Sequence, residues 1–310
     1  MLRTTRVCLG LLLSGLMTIS APSAFGTSQS GASDGQFSLK WKFREGDTFY
    51  AVENTTMQQD MSLMGQDIQL KMKTQTVTRF RIKEVKKDAT VVEMTILQQK
   101  MQTEGPMGGP GGDLGEKLKN VTFTFTVNDK MEVVKFEGYD KFLDAISSED
   151  PMMAAFLRSI LQESVIKQSF GRTFSLAPDK PLSVGQTWQH KDKLPLGPIG
   201  TIEVNSRYKL EGVTDSLARL SISGDLKWTG NDGKMDQALP FKFSEVNIKA
   251  DKFTGTALFD LQKGRLSNSQ MDIDIKGSLV VEVGGQKVDM DIKQQMRTEM
   301  KVVDKNPLVD

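Results

Sequence analysis

Residues 66–82, QDIQLKMKTQTVTRFRI, alternate with a period of two. The even positions read Ile68, Leu70, Met72, Thr74, Thr76, Thr78, Phe80 and Ile82. Between them lie Asp67, Gln69, Lys71, Lys73, Gln75, Val77, Arg79 and Arg81. A β-strand sends successive side chains to opposite faces, so this stretch has one dry face and one wet face. A helix would scatter the same residues round its circumference. At ~3.3 Å per residue the strand runs well over ~50 Å, which predicts a bend or bulge along it. The three central threonines weaken the dry face and mark a place for that bend.

The same alternation recurs along the chain. Leu39, Trp41 and Phe43 alternate with Lys40, Lys42 and Arg44, a first strand. Further strands are predicted from Thr48, at 89–99, and in a hairpin at 121–136 turning at Asn128-Asp129-Lys130. Others are predicted at 201–211, 217–228, 240–250, 253–262, 265–283 and 287–303. One region differs. Tyr139, Phe142, Leu143 and Ile146 fall on one helical face. Asp150-Pro151 then caps a second helix with a stripe of Met153, Phe156, Leu157, Ile160 and Leu161, which Gly171 ends. The fold class expected is mainly β: a large curved antiparallel sheet, a half-barrel or barrel of long hairpins. A central pair of helices at 139–168 covers its concave face.

Internal matches suggest two related halves, 37–136 and 181–303. Gly46-Asp47-Thr48-Phe49 matches Gly185-Gln186-Thr187-Trp188, and Arg79-Phe80-Arg81-Ile82 matches Arg207-Tyr208-Lys209-Leu210. Phe125 to Val127 matches Phe259 to Leu261. Residues 65–82 also align on 285–302 without a gap, although at a different offset. A meander of similar hairpins explains these matches equally well.

The first residues set the compartment. A basic start, an apolar run from Val7 to Ile19 and Ala24-Phe25-Gly26 form a secretory signal peptide over 1–26. A flexible polar leader follows at 27–36, and residues 304–310 form a tail. Cys8, the single cysteine, precedes the apolar run and leaves with the signal. The exported chain then has no disulfide and no thiol nucleophile, which points to a bacterial periplasm or cell surface. Lys+Arg number 40 against 39 Asp+Glu, interleaved with no basic block, so nucleic acid is not an expected partner. No stretch after the signal is long and apolar enough for a membrane helix.

Candidate chemistry is sparse. His190, the single histidine, lies in the Lys-rich stretch QHKDK and reads as a solvated loop residue. Asp272 with Asp274 and Asp289 with Asp291 read as the wet faces of strands rather than as acid–base or calcium pairs. The Gly/Pro-rich segment 104–116 has no phosphate-loop pattern and reads as a surface loop. Methionine stands out, with 17 in the chain, many at dry positions. Core packing is the plain explanation. An adaptable apolar groove for a lipid-like ligand is the second, and soft Cu(I) binding by Met57, Met61 and Met64 the third. No catalytic motif, cofactor motif or metal-ligand set is recognisable.

With its signal peptide, G-x-T-[FW] strand starts, Gly-Gln hairpins and lone helix pair, the chain resembles exported planctomycete-like bacterial families of unknown function. A looser similarity is to periplasmic lipid or lipoprotein carriers, whose curved sheet wraps an apolar cavity. That likeness implies a non-catalytic binding protein. A hydrophobic small molecule or an envelope protein is then the expected partner. The ligand face would comprise Ile68, Leu70, Met72, Phe80, Ile82, Met290 and Met300, with Phe156, Leu157 and Ile160 from the helix. An assembly protein of the envelope and a hydrolase with an unrecognised site are the alternatives.

Overall fold

The computed structural model describes residues 35–63, 66–105, 112–147, 157–159, 161–174, 178, 180–197, 200–230, 241–283 and 286–309. The segment 1–26, read from the sequence as a signal peptide, lies outside them, as do Met64, Asp150, Pro151, Met153, Phe156 and Ile160.

Two short strands, β1 (Gln36–Phe37) and β7 (Leu182–Ser183), pair with each other. The others form one antiparallel sheet of 11 strands. The first group is β2 (Thr48–Leu63), β3 (Gln66–Val85), β4 (Ala89–Glu104), β5 (Thr122–Asn128) and β6 (Val133–Glu137). The second is β8 (Thr187–Pro195), β9 (Thr201–Thr214), β10 (Leu217–Thr229), β11 (Phe241–Asp260), β12 (Arg265–Val283) and β13 (Gln286–Val303). The spatial order is β6-β5-β4-β3-β2-β13-β12-β11-β10-β9-β8. Each group is thus a meander of hairpins, and the long β2–β13 ladder, from Met290↔Leu63 to Val303↔Tyr50, joins them.

The sheet is open: β6 and β8 are its two edges. Among the described residues α1 (Gly112–Leu118), α2 (Tyr139–Ile146) and α3 (Glu163–Phe174) accompany it, and residues 157–159 are also helical. Helix α3 packs against both edge strands. Its Lys167 Nζ donates to the Val134 carbonyl of β6 at 3.1 Å. Buried residues of β5 and β6 (Phe125, Phe136) and of β8 (Leu194) belong to one cluster, which a curled sheet alone can gather. The half-barrel with helices on its concave side is therefore the observed form.

The core is densest where the helices sit. Phe125 is fully buried, with ring centroids of Phe170 at 4.8 Å and Phe136 at 5.3 Å. Trp41 contacts Phe174 at 5.5 Å and Phe259 at 6.2 Å. Leu39 and Trp41 are buried, but residues 38–44 are not a strand. The segment runs extended across the β11–β12 turn, where Lys42 N donates to Gly264 O at 2.9 Å and Lys42 Nζ to Leu261 O at 2.7 Å.

Other boundaries moved for physical reasons. The expected strands 240–250 and 253–262 are one strand, β11 (Phe241–Asp260), and a register irregularity between Ala250 and Lys252 absorbs the apparent break. The expected second helix is broken: residues 157–159 are helical, Leu161 and Gln162 are not, and α3 starts afresh at Glu163 and continues through Gly171 to Phe174, whose burial outweighs the glycine. The Gly/Pro-rich segment includes α1, which lies against β4. The bend in β3 is where the threonines suggested. Its register to β4 shifts between Val77 and Thr78, opposite Leu97.

Two turns share one geometry. Gly46 and Gly185 both have φ of 85°, a left-handed conformation that glycine adopts without Cβ strain. Gly46 N donates to Ile82 O and Gly185 N to Leu210 O, while Phe49 stacks on Phe80 and Trp188 on Tyr208 across the following ladders. These are the positions that the first two internal matches align. The ungapped match of 65–82 on 285–302 is less level: Ile68 and Ile292 face Met61 from either side, four residues off that alignment.

Candidate functional site

The two faces of the sheet differ sharply. Outward positions of β13 read Lys287, Asp289, Asp291, Lys293, Gln295, Arg297, Glu299 and Lys301, and all are exposed or half-buried. Asp272, one of the paired aspartates, sits on the outer face beside Arg297 and Lys252, each at 4.0 Å. Inward positions of β13 from 290 to 300 are Met290, Ile292, Gln294, Met296, Thr298 and Met300, all buried, with Val288 and Val302 half-buried at the ends. A barrel that meets lipid presents its apolar band outward. This sheet does the reverse.

Of the ligand-face residues read from the sequence, Leu70, Met72, Ile82, Met290 and Met300 are buried on the inner face. Ile68 and Phe80 are partly buried against the same core, and so is Leu157 from the helical region. Phe156 and Ile160 lie outside the described residues. The structure divides the rest by level. Ile82 and Phe80 lie at the aromatic end, where Phe80 stacks on Phe49 at 5.1 Å. Leu70, Met72 and Met290 lie towards the β2–β3 and β12–β13 hairpins.

A polar belt separates these levels. Thr55 of β2 and Thr298 of β13 are buried opposite each other, their hydroxyls hydrogen-bonded at 3.1 Å. Two residues further towards the hairpins, Met57 faces Met296 on one side and Met72 on the other. The next level pairs Gln59 with Gln294, and the one after it Met61 with Ile292. Gln59 is 0% exposed and Gln294 1%. Both amide atoms of Gln59 and the Oε1 of Gln294 have no hydrogen-bond partner among the described residues.

Sequence reading passed over this glutamine pair. Its signal is present in the chain: a glutamine at a dry-parity position inside an otherwise apolar run. The copper alternative needs Met57, Met61 and Met64 to converge on one point. Met57 and Met61 are core residues, packed in two separate clusters. Met64 lies outside the described residues.

His190 is not in a loop. It belongs to β8, whose inward positions are Trp188, His190, Asp192 and Leu194. The run QHKDK looked solvated because its outward lysines mask the alternation. His190 Nε2 lies 3.3 Å from Asp192 Oδ1, and the Asp192 side chain is 10% exposed. Ser206 of β9 is directly opposite His190 and is buried. Among the described residues no group of three or more His, Cys, Asp or Glu could hold a metal. None of their helices is long and apolar enough to cross a membrane.

These features define a class first: an open antiparallel half-barrel, apolar within and charged without. The chain belongs to DUF6263, a family of unknown function whose pattern matches residues 73–280. No curated protein matches it in sequence. Among solved structures it is similar to one described as lipid–protein interactions in lipovitellin, at 11% identity and a TM-score of 0.47 over 87% of this chain. The chain covers about a quarter (26%) of that one. It is also similar to the outer membrane protein OprG from Pseudomonas aeruginosa, at 7% identity and a TM-score of 0.24 over 86% of this chain and 100% of that one. DynF from the dynemicin pathway of Micromonospora chersina gives 8% identity and a TM-score of 0.20 over 94% and 92%. Likenesses this loose carry no functional argument.

Proposed function

We propose that the chain is an exported, non-catalytic binding protein that holds an apolar or lipid-like ligand against its Met-rich inner face. The observation that carries this reading is the methionine-lined ladder Met57/Met296, Met61/Ile292 and Met72, on the concave side of an open sheet. Methionine is flexible and polarisable, and suits a surface that must repack around a chain-like guest. The charged convex face keeps the outside in water. The N-terminal pattern of a basic start and an apolar run supports work in a periplasm or at a cell surface.

The test is uptake of diphenylhexatriene, a fluorescent hydrocarbon, by the purified protein. Saturable fluorescence enhancement is expected. Enhancement no greater than that of a denatured control sinks the reading. A hydrolase is the second reading, and the His190–Asp192 pair with Ser206 opposite favours it. Ester hydrolysis that His190→Ala abolishes would establish it in place of the first.

A further inference from the structure

The glutamine pair departs from everything around it. By register, Gln59 touches the levels of Leu70 and Gln294, and Gln294 those of Gln59 and Ile275. Methionine and isoleucine pairs lie above and below, at Met57/Met296 and Met61/Ile292. A primary amide in such surroundings has lost its water hydrogen bonds, and Gln59 has recovered none among the described residues. A leucine or methionine at either position would pack the same space with no such loss. The whole amide of Gln59 and the Oε1 of Gln294 are thus left without partners, adjacent across one ladder and facing the same concave side, a cross-strand pairing that no other unpartnered buried polar atom of the described residues shares.

We infer that Gln59 and Gln294 form the polar end of the ligand site. They receive an uncharged hydrogen-bonding group, a hydroxyl or an ester carbonyl, at the head of a hydrocarbon chain that lies along the methionine levels. This inference rests on the binding reading above and adds the chemistry of the ligand's head. Gln59 offers both a donor and an acceptor, and Gln294 offers an acceptor. A hydroxyl satisfies both kinds at once. An ionised carboxylate or phosphate is excluded by its surroundings. The inward neighbours Met57, Met61, Leu70, Ile275, Ile292 and Met296 carry no cation to offset a buried charge. The site thus selects neutral long-chain alcohols and acyl esters over fatty acid anions and anionic phospholipids.

The experiment compares two probes on the full exported chain: diphenylhexatriene, which has no polar group, and a pyrenyl dodecanol. Binding is titrated for the wild type and for the double variant Gln59→Met, Gln294→Met. The alcohol is expected to lose about tenfold or more in affinity, about 1.4 kcal/mol. The hydrocarbon is expected to keep or gain affinity. Equal shifts for both probes, or none for the alcohol, overturn the inference and leave the binding reading standing: the amides then hold water alone. A wild type that takes up neither probe overturns the binding reading itself. Should the variant not fold, the wild type decides. The alcohol must exceed, by about tenfold, the preference relative to pyrenyl dodecane that it shows on partitioning into hexadecane. A preference equal to hexadecane's refutes the polar end.

Discussion

Phe125→Ala tests the helix-covered end of the core. Phe125 has 0% exposure and contacts the rings of Phe136, Phe170, Phe123 and Phe174 at 5.3, 4.8, 6.4 and 6.4 Å. Truncation removes a fully buried ring and leaves a cavity bounded by β5, β6 and α3. Such changes cost about 3–5 kcal/mol. The aromatic contacts, each worth about 0.5–1.5 kcal/mol beyond area, place this site towards the upper value. In a domain of this size, 1 kcal/mol moves the melting temperature by about 2–4 °C, so a fall of about 10–20 °C is expected. Its neighbour Thr124 points to the outer face and is half-buried. Thr124→Ala should change stability by about 0.5 kcal/mol or less. Both are measured by thermal unfolding followed by circular dichroism, with urea melts for the free energies. Equal effects from the two substitutions would refute the assignment of inner and outer faces, and with it the curled sheet.

The parity argument gives a second contrast on β13. Met296→Lys buries an unpaired ammonium and should destabilise by several kcal/mol, whereas Gln295→Lys, one residue away on the wet face, should be nearly neutral in the same melts. In the turns, Gly46→Ala should cost about 1–2 kcal/mol from left-handed strain alone, because nothing lies within 4 Å of the added Cβ. Asp304 gives a pH dependence. The Lys263 ammonium, then the Arg265 guanidinium, hold its carboxyl below the ordinary value of 3.8. The stabilisation is full above the unfolded value and fades as pH falls through the lower folded one. The Asp304 side chain is 58% exposed, so Asp304→Asn should cost about 1 kcal/mol or less near neutrality. The variant's acid limb should be flatter below about pH 4, as followed by urea midpoints against pH.

The long strand β3 was legible over 67–82 because each inward residue there is apolar or small and each outward one is polar, Val77 apart. Val77 is nevertheless buried, on the outer face between Val52 and Gln98, where the β4 bulge tightens the sheet. Parity along one strand does not show such cross-strand cover. Strand β8 was illegible for the opposite reason. Half of its inward positions are His190 and Asp192, which hydropathy weighs as solvent-facing; the His190 side chain is indeed 39% exposed, and the β8–β9 register rather than burial puts it on the inner face. The helix α2 was readable from Tyr139, Phe142, Leu143 and Ile146, while the end of α3 depended on Phe174 meeting Trp41, a contact between distant parts of the chain. The aromatic end of the candidate face was legible as dry-face positions. The glutamine pair was not, since its meaning comes from the β2–β13 register, and that ladder joins the two ends of the sequence.

The central claim is that the concave face holds an apolar guest. Native mass spectrometry of the protein after incubation with a total lipid extract tests it most directly. The account predicts a discrete adduct in the mass range of neutral lipids, at one ligand per chain, that is lost from Met296→Lys protein whose circular dichroism still shows the folded sheet. A protein that stays ligand-free, or one that carries the same adduct with Met296→Lys folded and in place, would contradict it.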